Sequence, residues 1–228
     1  SYTVTEPATA LSSSSSVTNI LCYGDETGEI DLTCIGGTQP YSYLWDDNST
    51  SEDRITLSVG TYYVTIIDSN SCSLNDSYTI TGPAAALSSN GVVTNVLCYG
   101  ESTGEIDLSV TGGTQPYLYL WNDNSTSQNR VSLPTGIYNV TITDYKGCEY
   151  TDSYSISQPN SAVSVSSSLT NIQCNGDADG EIDVTVTGGT QSYSYLWNDS
   201  STAEDRDGLD IGTYYVTITD SNNCETFD

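Results

Sequence analysis

The chain has 228 residues, with 30 acidic side chains against four basic ones, a formal charge of −26 at pH 7 and no histidine or methionine. That charge repels nucleic acid and anionic membrane surfaces, and the lack of imidazole with a lone lysine removes the usual general bases, amine nucleophiles and metal-binding nitrogens. No apolar run approaches the ~20 residues needed to span a bilayer, and the first residues do not form a basic-then-apolar signal segment.

Landmarks recur every 76 residues: Cys22, Cys98 and Cys174, then Trp45, Trp121 and Trp197, then Arg54, Arg130 and Arg206. A fixed period of this size marks a tandem array whose units each do the same small thing. It argues against a single catalytic centre, so no residue is assigned as catalytic and the chain is read as no enzyme.

Within each period, short alternating runs are broken by Gly, Pro, Asn and Asp, and helical periodicity is missing. This is the pattern of an all-β fold of tandem immunoglobulin-like β-sandwich domains. In the first period the loop after Cys22 comes first. Asp25, Thr27 and Glu29 offer oxygens at alternate positions with Gly28 at the bend, and Glu101, Thr103, Glu105 and Asp177, Asp179, Glu181 repeat the arrangement. Alternate oxygens around a glycine resemble a loop that wraps calcium, a hard cation that takes six to eight oxygens. The competing reading is an acidic turn that is merely solvated.

Next, Ile30-Asp31-Leu32-Thr33-Cys34 puts its first, third and fifth side chains toward a core. Gly36-Gly37 supplies a turn of positive φ or close approach. Tyr41-Ser42-Tyr43-Leu44-Trp45 places both tyrosines and the tryptophan on one side. Arg54 recurs in a heavily anionic chain, and is expected to pair with a carboxylate such as Asp47 or Asp31, or to stack on an aromatic ring. Leu57 to Tyr62, with Leu133 to Tyr138 and Leu209 to Tyr214, reads as the corner where a tyrosine hydroxyl bonds back to the chain. The run Tyr62 to Asp68 then aligns Tyr62, Val64 and Ile66 inward.

Six cysteines fall into three pairs of equal spacing: Cys22 with Cys72, Cys98 with Cys148, and Cys174 with Cys224. One disulfide inside each domain is the natural connectivity. A cross-link of that loop length is worth roughly 4 kcal/mol through the unfolded state. The alternative is independent buried thiols, while zinc is disfavoured without His or a CxxC spacing. Such bonds imply oxidising surroundings. They would also carry Asp68, Asp144 and Asp220 toward the acidic loops as further calcium ligands. Cys34 has valine at its repeat positions and reads as a small buried hydrophobe.

Pro7, Pro83 and Pro159 each close a short run: Ser1-Tyr2-Thr3-Val4, Ser77-Tyr78-Thr79-Ile80 and Ser153-Tyr154-Ser155-Ile156. Each run is taken as the last strand of the domain before it. The domains are then 8–83, 84–159 and 160–228, an extended array in which residues 1–7 are the final strand of a preceding repeat and the third domain lacks its own. Two explanations stay open. The sequence is a window cut in arbitrary phase, or it is a subunit whose Tyr2 and Val4 complete a neighbour by β-strand addition.

Three motifs in fixed order, residues 22–32, 36–45 and 60–72, resemble the SprB-type repeat of large cell-surface adhesins of gliding Bacteroidota. The resemblance covers all three periods, with Ser192 standing where Pro40 and Pro116 occur. It implies export by the type IX system, exposure on the bacterial cell surface, tandem arrays and adhesive or motility roles. The function expected is a structural or adhesive segment of an extracellular protein. Its alternatives are a filament subunit that polymerises through residues 1–7, and a carbohydrate-binding accessory module. The expected partners are neighbouring repeats or like subunits, with surface glycans a further candidate. Nucleic acid and direct membrane insertion are not expected, and no cofactor other than calcium is.

Overall fold

A computed structural model describes residues 1–228. It is all-β, and its order inside each repeat follows from alternating runs that bury every second side chain. In the first repeat, β1 (Ser12–Thr18), β2 (Gly28–Ile35), β3 (Ser42–Trp45), β4 (Arg54–Leu57), β5 (Gly60–Ile67) and β6 (Ser73–Ile80) form two sheets, ordered β1-β2-β4 and β3-β5-β6. The second repeat has β7 (Ser88–Thr94), β8 (Gly104–Thr111), β9 (Leu118–Trp121), β10 (Arg130–Leu133), β11 (Gly136–Thr143) and β12 (Glu149–Ile156). The third has β13 (Ser164–Thr170), β14 (Gly180–Thr187), β15 (Ser194–Trp197), β16 (Arg206–Leu209), β17 (Val216–Thr219) and β18 (Glu225–Phe227). Their sheets repeat the order of the first pair.

The chain forms two compact units. Ser1–Ser89, Val110–Tyr119 and Thr141–Thr151 make one, and Asn90–Ser109, Leu120–Val140 and Asp152–Asp228 the other. The first repeat thus lies in one unit and the third in the other, and strands of the second pass from one to the other.

In the first repeat, Ile30, Leu32, Trp45, Leu57, Val64, Ile66 and Ile80 face one another between the sheets, while Asp31 and Thr33 of β2 face water. Cys34 packs against this core as a free thiol, with burial pushing its pKa up. The Trp45 indole is buried, and its Nε1 donates to the Ser51 carbonyl at 2.8 Å. The corner tyrosines close as the sequence predicts. Tyr62 donates to the Ser58 carbonyl at 2.9 Å, Tyr138 to Pro134 at 2.9 Å and Tyr214 to Asp210 at 3.1 Å.

Gly36 needs its φ of +77°, because a Cβ there would sit 2.0 Å from the Ala10 carbonyl oxygen. The run after Cys72 is the last strand of its own sandwich, as β6 pairs antiparallel with β5 from Gly60↔Ile80 to Ile67↔Ser73. Residues 1–7 form no strand, and Tyr2 and Val4 are fully exposed.

Candidate functional site at the repeat junctions

The turn between β5 and β6 carries the sequence Asp-x-x-x-Cys, and its aspartate is buried at 4% exposure. Asp68 Oδ1 accepts from the N–H groups of Asn70 at 2.9 Å and Cys72 at 2.8 Å, and Oδ2 accepts from Thr38 N–H at 2.9 Å. The Cys72 amide is the first of several backbone donors that hold this carboxyl below its ordinary range. Asp144 binds Lys146, Cys148 and Thr114 in the same way, and Asp220 binds Asn222, Cys224 and Thr190. Burial by itself would raise the last two, but their amide donors outweigh it and both are lowered. Each turn is therefore a rigid clasp that fixes the backbone of the cysteine closing it.

Those cysteines do not bond within their own repeat. The disulfides are Cys22–Cys148 and Cys98–Cys224, each with Cα atoms 5.6 Å apart and 126 residues between partners in sequence. The expected pairs Cys22 with Cys72, Cys98 with Cys148 and Cys174 with Cys224 are thus corrected to bonds between successive repeats, and Cys72 and Cys174 are free and exposed. Geometry gives the reason. Ile20 N–H bonds the Thr81 carbonyl just past β6, so Cys22 sits at the end of that strand while Cys72 precedes its start. Eight strand residues at ~3.4 Å each separate the two ends by about 27 Å, far beyond the ~7 Å a disulfide tolerates.

At each junction the cysteine sulfur lies against the carbonyl of the residue before its partner cysteine. Cys148 Sγ lies 3.4 Å from the Leu21 carbonyl oxygen, and Cys224 Sγ lies 3.5 Å from that of Leu97. Asn222 Nδ2 donates to the Leu97 carbonyl at 3.1 Å and to Thr190 Oγ1 at 2.9 Å. Asn70 makes the equivalent bond to Thr38 Oγ1, and in the second repeat Lys146 occupies this place. The equal spacing of six cysteines points to a bond inside each repeat. Only the opposed ends of the strands rule that bond out.

Asp25 and Thr27 are exposed on their loop with Glu29 pointing outward from β2, Asp177 and Asp179 are likewise exposed with Glu181 pointing outward from β14, and no group of three or more Asp, Glu or Cys side chains comes together there. In the second copy Glu101 and Thr103 are exposed before β8 begins, and Glu105 points outward from it. Asp68, Asp144 and Asp220 spend their oxygens on backbone amides. The route inside one repeat is replaced by one between repeats, because the observed bonds bring the turn of Asp144 to the loop after Cys22 and the turn of Asp220 to the loop after Cys98.

The recurring arginines are held by both of their expected partners at once. Arg54 forks onto Asp47 with Nη2 to Oδ2 at 2.6 Å, and its guanidinium lies 5.1 Å from the Trp45 ring centre and 5.8 Å from that of Tyr62. Arg130 on Asp123, Trp121 and Tyr138 repeats this, as does Arg206 on Asp199, Trp197 and Tyr214. The residue before each arginine was not singled out from sequence. Asp53 accepts the Leu32 N–H at 3.0 Å, and Asn129 and Asp205 do the same for Leu108 and Val184.

The SprB repeat model matches the chain at residues 14–50, 90–126 and 166–202. No curated protein matches it. Among solved structures, one described as Dpr2 Ig1-Ig2 in complex with DIP-Theta Ig1-Ig3 is similar at 9% identity, with 96% of this chain and 97% of that chain covered and a TM-score of 0.33. Another, described as a tetra-tandem repeat in the extending region of a large adhesion protein, is similar at 14% identity, with 96% and 72% covered and a TM-score of 0.24.

Proposed function

The chain carries three SprB repeats, one in each period, and from that premise we propose that it is a load-bearing structural and adhesive segment of an extracellular bacterial surface protein. Repeats of this kind occur in large cell-surface adhesins, which supports the location. The observation that carries the mechanical part is the overlap of the two disulfide loops, since the loop closed by Cys22–Cys148 contains Cys98, and the one closed by Cys98–Cys224 contains Cys148.

Overlap changes the covalent path along which tension travels. Tension entering at Cys22 crosses to Cys148, follows the backbone back to Cys98, and crosses again to Cys224. The second repeat is thereby loaded between its own two cysteines, and most of the chain between Cys22 and Cys224 is shielded. At ~3.5 Å per extended residue, the bridged path between those cysteines reaches about 175 Å, whereas the unbridged backbone reaches about 700 Å.

Pulling single molecules by their ends tests this. The oxidised chain should release roughly 500 Å less contour length than the same chain in reductant, and equal release in both states would remove the load-bearing reading. Antibody against residues 1–228 should label intact cells. Labelling that needs lysis would remove the surface reading.

A further inference from the structure

The two sheets of each sandwich present opposite chemistries to solvent. Strand β2 turns Glu29 and Asp31 outward, and β8 and β14 do the same with Glu105 and Asp107, then Glu181 and Asp183. On the other sheet of the first repeat every second residue of β3, β5 and β6 faces out, through Leu44, Tyr63 and Asn75, and none of these outward residues is charged. Asp76 of β6 points the other way, where it accepts bonds from Ser13 and Tyr78. In the second and third repeats the same face carries one glutamate each, Glu149 and Glu225, at the start of its last strand. Asp46 borders the face in the first repeat, and Asn122 and Asn198 stand there in the others. A chain with 30 acidic side chains thus leaves one sheet face nearly neutral.

That face is built of apolar side chains set among hydroxyls and amides. A leucine stands exposed at the same place in all three repeats, with Leu44, Leu120 and Leu196 at 50%, 53% and 57% exposure. In the first repeat Leu44 lies opposite Thr65 and diagonal to the exposed Tyr63. In the third, Leu196 lies opposite Thr217 and diagonal to the exposed Tyr215. Thr65 Oγ1 donates to Asn75 Oδ1 at 2.9 Å, which leaves the amide N–H groups of Asn75 to solvent. The hydroxyls of Thr61 and Thr79 pair at 3.0 Å on the next row.

Charge selects the occupant. A basic partner gains more from the outward acids of β2, β8 and β14, a polyanion is repelled by the net charge of −26, and a second copy brings that same charge again. An uncharged polysaccharide meets none of these penalties. Its sugar rings have an apolar C–H face that suits leucine and tyrosine, and a rim of hydroxyls that suits threonine and asparagine. We propose that this neutral sheet face binds an uncharged polysaccharide, with Leu44 and Tyr63 packing on its sugar rings and Thr61, Asn75 and Thr79 bonding its hydroxyls. Leu120 and Leu196 mark the same site on the other two repeats. This inference rests on the adhesive half of the proposed function and names what is gripped.

The test runs the chain of residues 1–228 through native gels that contain laminarin, hydroxyethyl cellulose, agarose or dextran, with alginate as the anionic control. At least one neutral polymer should retard it and alginate should not, and the retardation should survive high salt because no charge pair is involved. Leu44→Asp, Leu120→Asp and Leu196→Asp together should weaken binding at least tenfold with the melting temperature unchanged, since all three side chains are exposed. Tyr63→Ala with Tyr215→Ala is the second variant and should cost part of the affinity. On the opposite sheet, Asp31→Asn, Asp107→Asn and Asp183→Asn should leave binding as it was. Retardation by no polymer or by alginate alone overturns the proposal, as does binding indifferent to both the leucine and the tyrosine variants. Association between copies that the leucine variants abolish, without glycan binding, overturns it in favour of a second copy as occupant. Failure here with antibody labelling of intact cells removes this face and keeps the surface reading, whereas glycan binding without such labelling does the reverse.

Discussion

Asp144 and its counterparts show how one carboxylate can be essential without binding anything foreign. Three backbone N–H groups converge on Asp144, and two of them belong to the turn that presents Cys148 to the neighbouring repeat. Asp144→Ala leaves buried donors unanswered, which costs about 2 to 3 kcal/mol. It should also slow formation of the Cys22–Cys148 bond in oxidative refolding, read by quenching with an alkylating reagent. The pH dependence has a definite sign. The folded-state pKa of Asp144 is lowered, so its stabilisation is present above the unfolded carboxyl value of ~3.9 and is lost as pH falls through the folded value. Acidifying below about pH 4 should therefore destabilise the native protein, and Asp144→Asn should flatten that part of its stability profile. Relief of charge repulsion on protonation acts the other way, so the comparison is made between native chain and variant at high salt. The arginines were legible as recurring cations, because a lone base in an acidic stretch must find a carboxylate. That they also stack on tryptophan was legible only as an alternative, since ring and guanidinium come together across the sandwich.

At the level of strands, the period-2 pattern carried most of the fold. Ile30, Leu32 and Cys34 point inward and Asp31 and Thr33 outward because consecutive side chains on a strand face opposite ways. The corner tyrosines were equally legible, as a local bond over four residues depends little on the rest of the fold. Irregular pairing was not. Strand β4 meets β2 with a shift of register between Gly28↔Leu57 and Ile30↔Arg54, Thr56 there adopts a φ of +60°, and Asp53 supplies the acceptor for the Leu32 N–H. A bulge of this kind is set by the twist of the pair and leaves no simple spacing in the residues. The last strand offers a direct test of packing. Ile156→Ala should cost about 3 kcal/mol in the second repeat, seen as a roughly 100-fold loss of amide protection in hydrogen exchange. Gly104→Ala should also destabilise, since its Cβ would press on Ile156 and the Leu133 carbonyl. Gly180→Ala should be milder, as the position has no such isoleucine above it.

For the whole molecule, the covalent bonds matter more than any one site. A loop of 126 residues closed by a disulfide is worth about 5 kcal/mol through the unfolded state, and overlapping loops share part of that gain. Non-reducing peptide mapping should recover Cys22 with Cys148 and Cys98 with Cys224, and alkylation without denaturant should label Cys72 and Cys174. Recovery of Cys22 with Cys72 would reject the junctions and the tension path built on them.

By itself, the order of residues determined that the chain is a threefold array, that each unit is a β-sandwich with a tyrosine corner, and that six cysteines recur in step with the array. These properties depend on period, alternation and neighbours a few residues away. Tertiary structure decided which cysteines meet, and that the recurring aspartates Asp68, Asp144 and Asp220 clasp their turns through backbone amides. Each of those depends on which end of a strand a residue occupies in space, a distance of tens of ångströms that spacing along the chain does not encode.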